Sequence, residues 1–248
     1  MKKVILFGMA AMLMASCVKS TPQAPTVGTT HCDTINGVPC VVYVPSDVSR
    51  QHSDRKSPVL YLQHGMWGNE FDWTKKGNLI GIMDSLLREG KVKEIVVIMP
   101  DNCPGRPTYE EELANATTGK WEEQFAAFMA EAESKYPISD QPSERAIAGL
   151  SMGGYHTMMV SSLLDGQFAY VGMFSAATFV HKMPSEPALL WLGIGKRDFL
   201  YESFTDYRRW LEGHHREYTY YESADGHDWP EWQDYLGRFL PKCFQNER

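Results

Sequence analysis

Positive charge is scarce in this chain of 248 residues. Asp and Glu number 31 against 24 Lys and Arg, and no basic run appears anywhere. That deficit excludes the electrostatic footprint of a nucleic-acid binder. Long apolar runs are scarce too. Only residues 4–15 are almost wholly apolar, and that stretch falls short of the roughly 20 residues a membrane-spanning helix needs. A multi-span membrane protein is therefore excluded. No internal repeat occurs, and no linker separates two folded domains. No tight Cys/His cluster has metal-ligand spacing, so neither a metal site nor an organic cofactor is implied. What remains is a globular balance, 43% hydrophobic with 22% charged residues. Such a chain is too apolar to stay disordered and long enough to bury one large core.

The amino terminus reads as an address and an anchor. Lys2 and Lys3 precede the apolar run, which has the length of a signal-peptide core. The run ends Leu13-Met14-Ala15-Ser16-Cys17. Small residues directly before a cysteine resemble a bacterial lipobox, although Met14 stands where Leu, Val or Ile is usual. A plain signal peptide with an incidental cysteine is the alternative. The lipobox reading makes residues 1–16 a lipoprotein signal peptide and Cys17 the lipidated residue. Residues 17–30, with Pro22 and Pro25, become a tether to a domain over 31–248. Several acyl chains on one cysteine hold a protein on a membrane where a single chain binds marginally. The expected location is the bacterial cell envelope, on the periplasmic or cell-surface side. Export implies an oxidising compartment, and Cys32, Cys40, Cys103 and Cys243 form an even set. Three pairings are open; a small Cys32–Cys40 loop would leave Cys103 with Cys243.

Apolar strand patterns at 41–44, 58–63, 94–99, 145–148, 170–174, 188–194 and 217–221 alternate with helical ones. The helices fall at 79–89, 121–136, 155–164, 204–212 and 229–240. Buried strands separated by helices argue for an α/β domain, its mostly parallel sheet covered on both faces. Residues 103–120, rich in Pro, Gly, Thr and Glu, read as the irregular part. In this architecture active sites lie at the carboxyl ends of the strands.

The chemistry-bearing residues sit at those ends. Gly149-Leu150-Ser151-Met152-Gly153 follows an apolar strand and leads into a helix. A sharp strand-to-helix turn needs small neighbours and exposes the serine hydroxyl. Such a hydroxyl needs a base to become a nucleophile. Of eight histidines, His227 lies in a late loop after a strand, where the order Ser, acid, His puts the base. His214 and His215 read as helix-end partners, His156 as a packing or capping residue, and His64 as a brace for its own loop. Asp198, directly after the strand at 188–194, is the first choice for the acid that orients the imidazole. Glu222, Asp225 and Asp228 are its rivals. The backbone N–H groups of Met152 and of Met66, in His64-Gly65-Met66-Trp67-Gly68, are candidate oxyanion donors. Trp67 and Tyr155 are candidate substrate-binding residues, with Phe199 and Tyr201 as further possibilities. Trp73, Trp229 and Trp232 are better read as core.

Three segments together resemble one family. His64-Gly65-Met66-Trp67-Gly68-Asn69-Glu70-Phe71-Asp72-Trp73, Gly149-Leu150-Ser151-Met152-Gly153-Gly154 and Gly226-His227-Asp228-Trp229-Pro230-Glu231-Trp232 look like the esterase D / feruloyl esterase group of α/β-hydrolases. Family-1 carbohydrate esterases belong to that group. The resemblance runs from about residue 32 to 241. It implies a single α/β-hydrolase domain with Ser151 as nucleophile, Asp198 as acid, His227 as base, and Met66 and Met152 as oxyanion donors. Members act on feruloyl or acetyl esters of plant polysaccharide, on thioesters such as S-formylglutathione, on siderophore esters, or as acyltransferases. Residues 103–120 match no pattern of the group. The expectation is a serine carboxylic-ester hydrolase working through an acyl-enzyme on a carbohydrate-linked ester. Acyl transfer, thioester or siderophore-ester hydrolysis, and a non-catalytic carbohydrate-binding lipoprotein are the competing readings. A neutral base is required, so activity is expected to fall below about pH 6–7.

Overall fold

The computed structural model describes residues 28–46, 56–103 and 108–245. The segment read as a signal peptide, Cys17, and the segment read as a tether as far as residue 27 lie outside them. Among the described residues one sheet has eight strands: β1 (Thr29–Ile35), β2 (Val38–Val44), β3 (Val59–Gln63), β4 (Val96–Pro100), β5 (Arg145–Leu150), β6 (Tyr170–Phe174), β7 (Leu189–Gly195) and β8 (Thr219–Ser223). Their order is β1-β2-β4-β3-β5-β6-β7-β8. β2 runs antiparallel to both β1 and β4, and every other neighbouring pair is parallel. The helices are α1 (Asp72–Lys75), α2 (Leu79–Arg88), α3 (Tyr109–Thr118), α4 (Lys120–Lys135), α5 (Met152–Leu163), α6 (Tyr201–Gly213) and α7 (Trp229–Phe239). This is the mostly parallel, two-face-covered sheet that the apolar runs predict.

Alternation along each strand divides the core in two. Val59 and Tyr61 of β3 join Phe125 and Phe128 of α4, Met158 of α5 and Tyr207 of α6 in one layer. Leu60 and Leu62 point the other way, to Met83 of α2 and Tyr235 and Phe239 of α7. Each such side chain removed from water contributes about 1.5–3 kcal/mol. With both faces covered, the central strands carry apolar residues in unbroken runs.

Two segments depart from expectation. β1 takes in Thr29 and Thr30, the last residues assigned to the tether. Its sequence Thr-Thr-His-Cys-Asp-Thr-Ile has no apolar alternation; it is a strand because it pairs with β2 along its whole length, at the sheet edge. α3 occupies the region read as irregular. Thr108 caps it, accepting from the Glu111 N–H, while the Glu111 carboxylate accepts from the Thr108 N–H. That reciprocal box satisfies two end groups and starts a helix of low apolar content.

Strand register also settles the small cysteine loop. Cys32 stands opposite Val41, and Asp33 opposite Cys40. Opposed residues share a face, so Cys32 and Cys40 point to opposite sides of the sheet and stay thiols. Cys243 is fully buried, and its thiol donates to the Phe239 carbonyl instead of forming a bridge.

Candidate active site

The register brings four segments to one end of the sheet. Gln63 pairs with Gly149 at the ends of β3 and β5, and Leu150 pairs with Phe174 at the ends of β5 and β6. Gly195 pairs with Ser223 at the ends of β7 and β8. The segments that follow therefore emerge side by side: Gly65-Met66 after β3, Ser151 after β5, Asp198 after β7 and His227 after β8.

Ser151 is the single residue between β5 and α5. Its φ of 54° and ψ of −117° place it in a backbone region costly for a side-chain-bearing residue. Hydrogen bonds from both sides hold it there. Its N–H donates to Phe174 O at 2.9 Å, and its carbonyl accepts from Tyr155 N and Ala177 N at 3.1 and 3.0 Å. The flanking glycines are needed for close approach. A Cβ on Gly149 would collide with the Gly153 carbonyl, and one on Gly153 with the His64 carbonyl.

The hydroxyl so presented meets an imidazole. Ser151 Oγ lies 3.0 Å from His227 Nε2, and His227 Nδ1 lies 2.8 Å from Asp198 Oδ2. With its proton on Nδ1, His227 donates to the carboxylate and leaves Nε2 to accept from the serine. The Asp198 side chain is wholly buried, and its other oxygen accepts from Leu200 N at 2.8 Å. The rival acids are engaged elsewhere. Glu222 binds Lys196, Tyr201 and Tyr220; Asp225 pairs with Arg197; Asp228 caps α7. The arrangement can move a proton from the serine to the imidazole and hold the resulting imidazolium beside a desolvated anion.

Met152 opens α5, so its N–H has no acceptor within that helix. Met152, Gly65 and Met66 line the cavity that holds Ser151. The loop carrying Met66 is braced from behind. His64 is buried; its Nδ1 donates to Gly65 O at 2.7 Å, and its Nε2 accepts from Asn102 N at 3.2 Å. Asn102 returns a side-chain bond to the His64 carbonyl. Gly68 N donates to Gly65 O, closing a turn in which Trp67 has a left-handed φ of 58°. A bulky side chain is rare in that conformation, and here it leaves Trp67 65% exposed at the rim.

The cavity holds about 490 Å³, the size of a small-molecule site. Trp67, Phe179 and Phe199 form its exposed aromatic rim. Phe199 stands 4.5 Å from the His227 ring, and Trp232 meets the same imidazole edge-on at 4.9 Å. Tyr155 does not line it. One turn along α5 its ring turns inward, 3% exposed, and packs behind Phe179 at 5.8 Å. Tyr201 is drawn away by its bond to Glu222. Trp73 is core, its indole N–H donating to Gln63 O at 3.1 Å. Trp229 and Trp232 pack against the core and also form a cavity wall. Asp72, Lys76 and Phe179 line it as well; the first two come from the short helix α1 and its cap, and Phe179 from the segment after β6.

A second histidine–carboxylate pair lies behind the serine helix. His156 Nδ1 donates to Glu122 Oε1 at 2.7 Å, and both side chains are buried. Beside it, Gln63 accepts from the Trp121 indole at 2.7 Å and donates to Thr157 at 3.3 Å. These bonds tie α4 and α5 to the end of β3.

The chain is similar to known esterases in sequence and in fold. The Esterase family model matches residues 36–243. An endo-1,4-beta-xylanase/feruloyl esterase of Xylanibacter ruminicola is 28% identical over 168 residues, covering 63% of this chain and 22% of that protein. The chain thus spans about a fifth of that relative. An acetyl esterase of Caldicellulosiruptor saccharolyticus is 22% identical over 227 residues, 72% of this chain and 80% of that one. Among solved structures, a CE1 ferulic acid esterase of Anaeromyces mucronatus superposes with a TM-score of 0.73 at 18% identity, covering 91% and 93% of the two chains. A serine presented at a strained strand-to-helix turn of a mostly parallel sheet, and a family match over nearly all the described chain, lead to one conclusion: this chain belongs to the Esterase family, on the α/β-hydrolase fold.

Proposed function

We propose that the protein is a serine carboxylic-ester hydrolase of the bacterial cell envelope that acts on feruloyl or acetyl esters of plant polysaccharide. The observation that carries the chemistry is the hydrogen-bonded chain Asp198–His227–Ser151, at 2.8 and 3.0 Å, opening into an aromatic-walled cavity. His227 takes the Ser151 proton as Oγ attacks the ester carbonyl. The N–H groups of Met66 and Met152 stabilise the oxyanion. The tetrahedral intermediate collapses, the C–O bond to the alcohol breaks, and His227 returns the proton to the leaving oxygen. Water then attacks the acyl-serine by the same route, releasing the acid and restoring the serine. Trp67 at the rim and the indoles of Trp229 and Trp232 offer flat apolar surface to a conjugated acyl group or a sugar face. The sequence Leu13 to Cys17 supports the envelope location through a lipid on Cys17.

The test compares wild type and Ser151→Ala on methyl ferulate, p-nitrophenyl acetate and acetylated xylan. Turnover on at least one ester should fall by several orders of magnitude in the variant. Equal rates in the two proteins would reject Ser151 as nucleophile. Transfer to added acceptor alcohols in preference to water would convert the reading to acyl transfer. Growth with a labelled fatty acid should label wild type and leave Cys17→Ala unlabelled.

A further inference from the structure

The wall of the cavity has a direction. From the His227 imidazole it runs to Trp232, 4.9 Å away, then to Trp229 at 5.2 Å, both edge-on. It ends at Lys76, whose Nζ stands 5.9 Å from the Trp229 ring. Among the described residues lining the cavity, Lys76 and Asp72 are the charged pair; apart from Ser151 and His227 the remainder are apolar or small. The Lys76 side chain is half exposed and paired with Asp72. Its Nζ donates to Asp72 at 3.0–3.1 Å. Its backbone N–H bonds Asp72 O, and its carbonyl accepts from Gln233 on α7. Asp72 itself is buried. An ammonium donor and a carboxylate acceptor are thus held together where a row of rings ends.

We propose that Lys76, positioned by Asp72, is a specificity-determining residue that reads an oxygen substituent on the far end of an aromatic acyl group. The inference rests on the esterase reading of Ser151 and goes further by naming what the site selects. A planar acyl group bound through its carbonyl at Ser151 lies along Trp232 and Trp229. Its ring then reaches the pair, where a phenolic hydroxyl donates to Asp72 and accepts from Lys76. An acyl ring without that oxygen leaves the pair to water. Sites built around a polar partner discriminate against ligands lacking it more strongly than apolar pockets discriminate by size.

The test measures kcat/KM for methyl cinnamate, methyl 4-hydroxycinnamate and methyl ferulate in wild type, Lys76→Met and Lys76→Arg. The alcohol is constant, so only the acyl end varies. Wild type should prefer the oxygenated rings. The preference over cinnamate should fall about tenfold in Lys76→Met, chiefly through KM, as expected for loss of a hydrogen bond from a charged donor; Lys76→Arg should retain most of it. Rates that drop equally on all three esters, or a preference unchanged in Lys76→Met, overturn the proposal while leaving the esterase reading intact. A wild type inactive on all three but active on p-nitrophenyl acetate overturns the proposal and leaves the esterase reading intact; inactivity on that ester as well defeats the esterase reading instead. An effect of Lys76→Met that appears only when the alcohol is changed to a sugar moves the subsite to the leaving group and also overturns it.

Discussion

Among the described residues, two histidine–carboxylate pairs share nearly the same geometry. Asp198 and His227 are 2.8 Å apart; Glu122 and His156 are 2.7 Å apart, and each bond uses Nδ1. Their surroundings separate them. His227 stands between a carboxylate and a serine, faces a cavity, and is partly open to solvent. His156 is buried between α4 and α5, and the second Glu122 oxygen has no partner among the described residues. An imidazole held by a carboxylate is therefore no sign of catalysis by itself. What gives the first pair its chemistry is the third member and the space beside it; the second pair can only hold two helices together.

Breaking each pair should expose that difference. Asp198→Asn changes the tautomer that His227 adopts and should lower kcat/KM by about 10³–10⁴ with little loss of stability. Steady-state kinetics beside a thermal melt would measure both. A variant that keeps most of its rate would return Glu222 or Asp225 to contention as the acid.

The buried pair should respond in the opposite sense. His156→Ala strips Glu122 of its partner and opens a void, which should cost about 3 kcal/mol, a fall in Tm of roughly 6–12 °C for a domain of this size. Activity at a temperature where the variant remains folded should change only a few-fold. Unaltered melting together with a loss of rate comparable to Asp198→Asn would make the buried pair part of the reaction and erase the contrast.

The sequence makes the first pair easier to see than the second. Ser151, Asp198 and His227 each follow a readable apolar strand, and the fold turns that shared position into proximity. Glu122 and His156 lie on two helices, and no local pattern says that those faces meet. The same limit applies to Tyr155. It neighbours the serine in the chain, yet a helix turn points it inward. Lys76 reaches the cavity through a short helix whose only marker is an Asp72–Lys76 spacing common on surfaces. In the fold, β3 and β6 are legible as apolar runs because both faces are buried. β1 is not, since an exposed edge strand needs no apolar alternation and owes its form to β2. α3 could be anticipated from the Thr108–Glu111 spacing, but its composition argues the other way.

A third carboxylate extends the comparison to the surface, where the effect should be smallest. Asp33, on β1, accepts from the Tyr136 hydroxyl at 2.7 Å and from Lys135 Nζ at 2.9 Å, tying the edge strand to the end of α4. The Tyr136 bond first, and Lys135 with it, hold its carboxyl down at about 2, against an ordinary value of 3.8. The folded value lies below the unfolded one, so the bonds stabilise the fold above about pH 4. Their contribution fades as the pH falls from about 4 to 2. Solvent screening limits it to under about 1 kcal/mol. Urea unfolding of wild type and Asp33→Asn should therefore differ slightly at pH 6 and converge near pH 2. A difference that persists unchanged at low pH would mean that Asp33 acts through its shape and neutral hydrogen bonds, leaving charge to matter only where, as at Asp198, water is kept out.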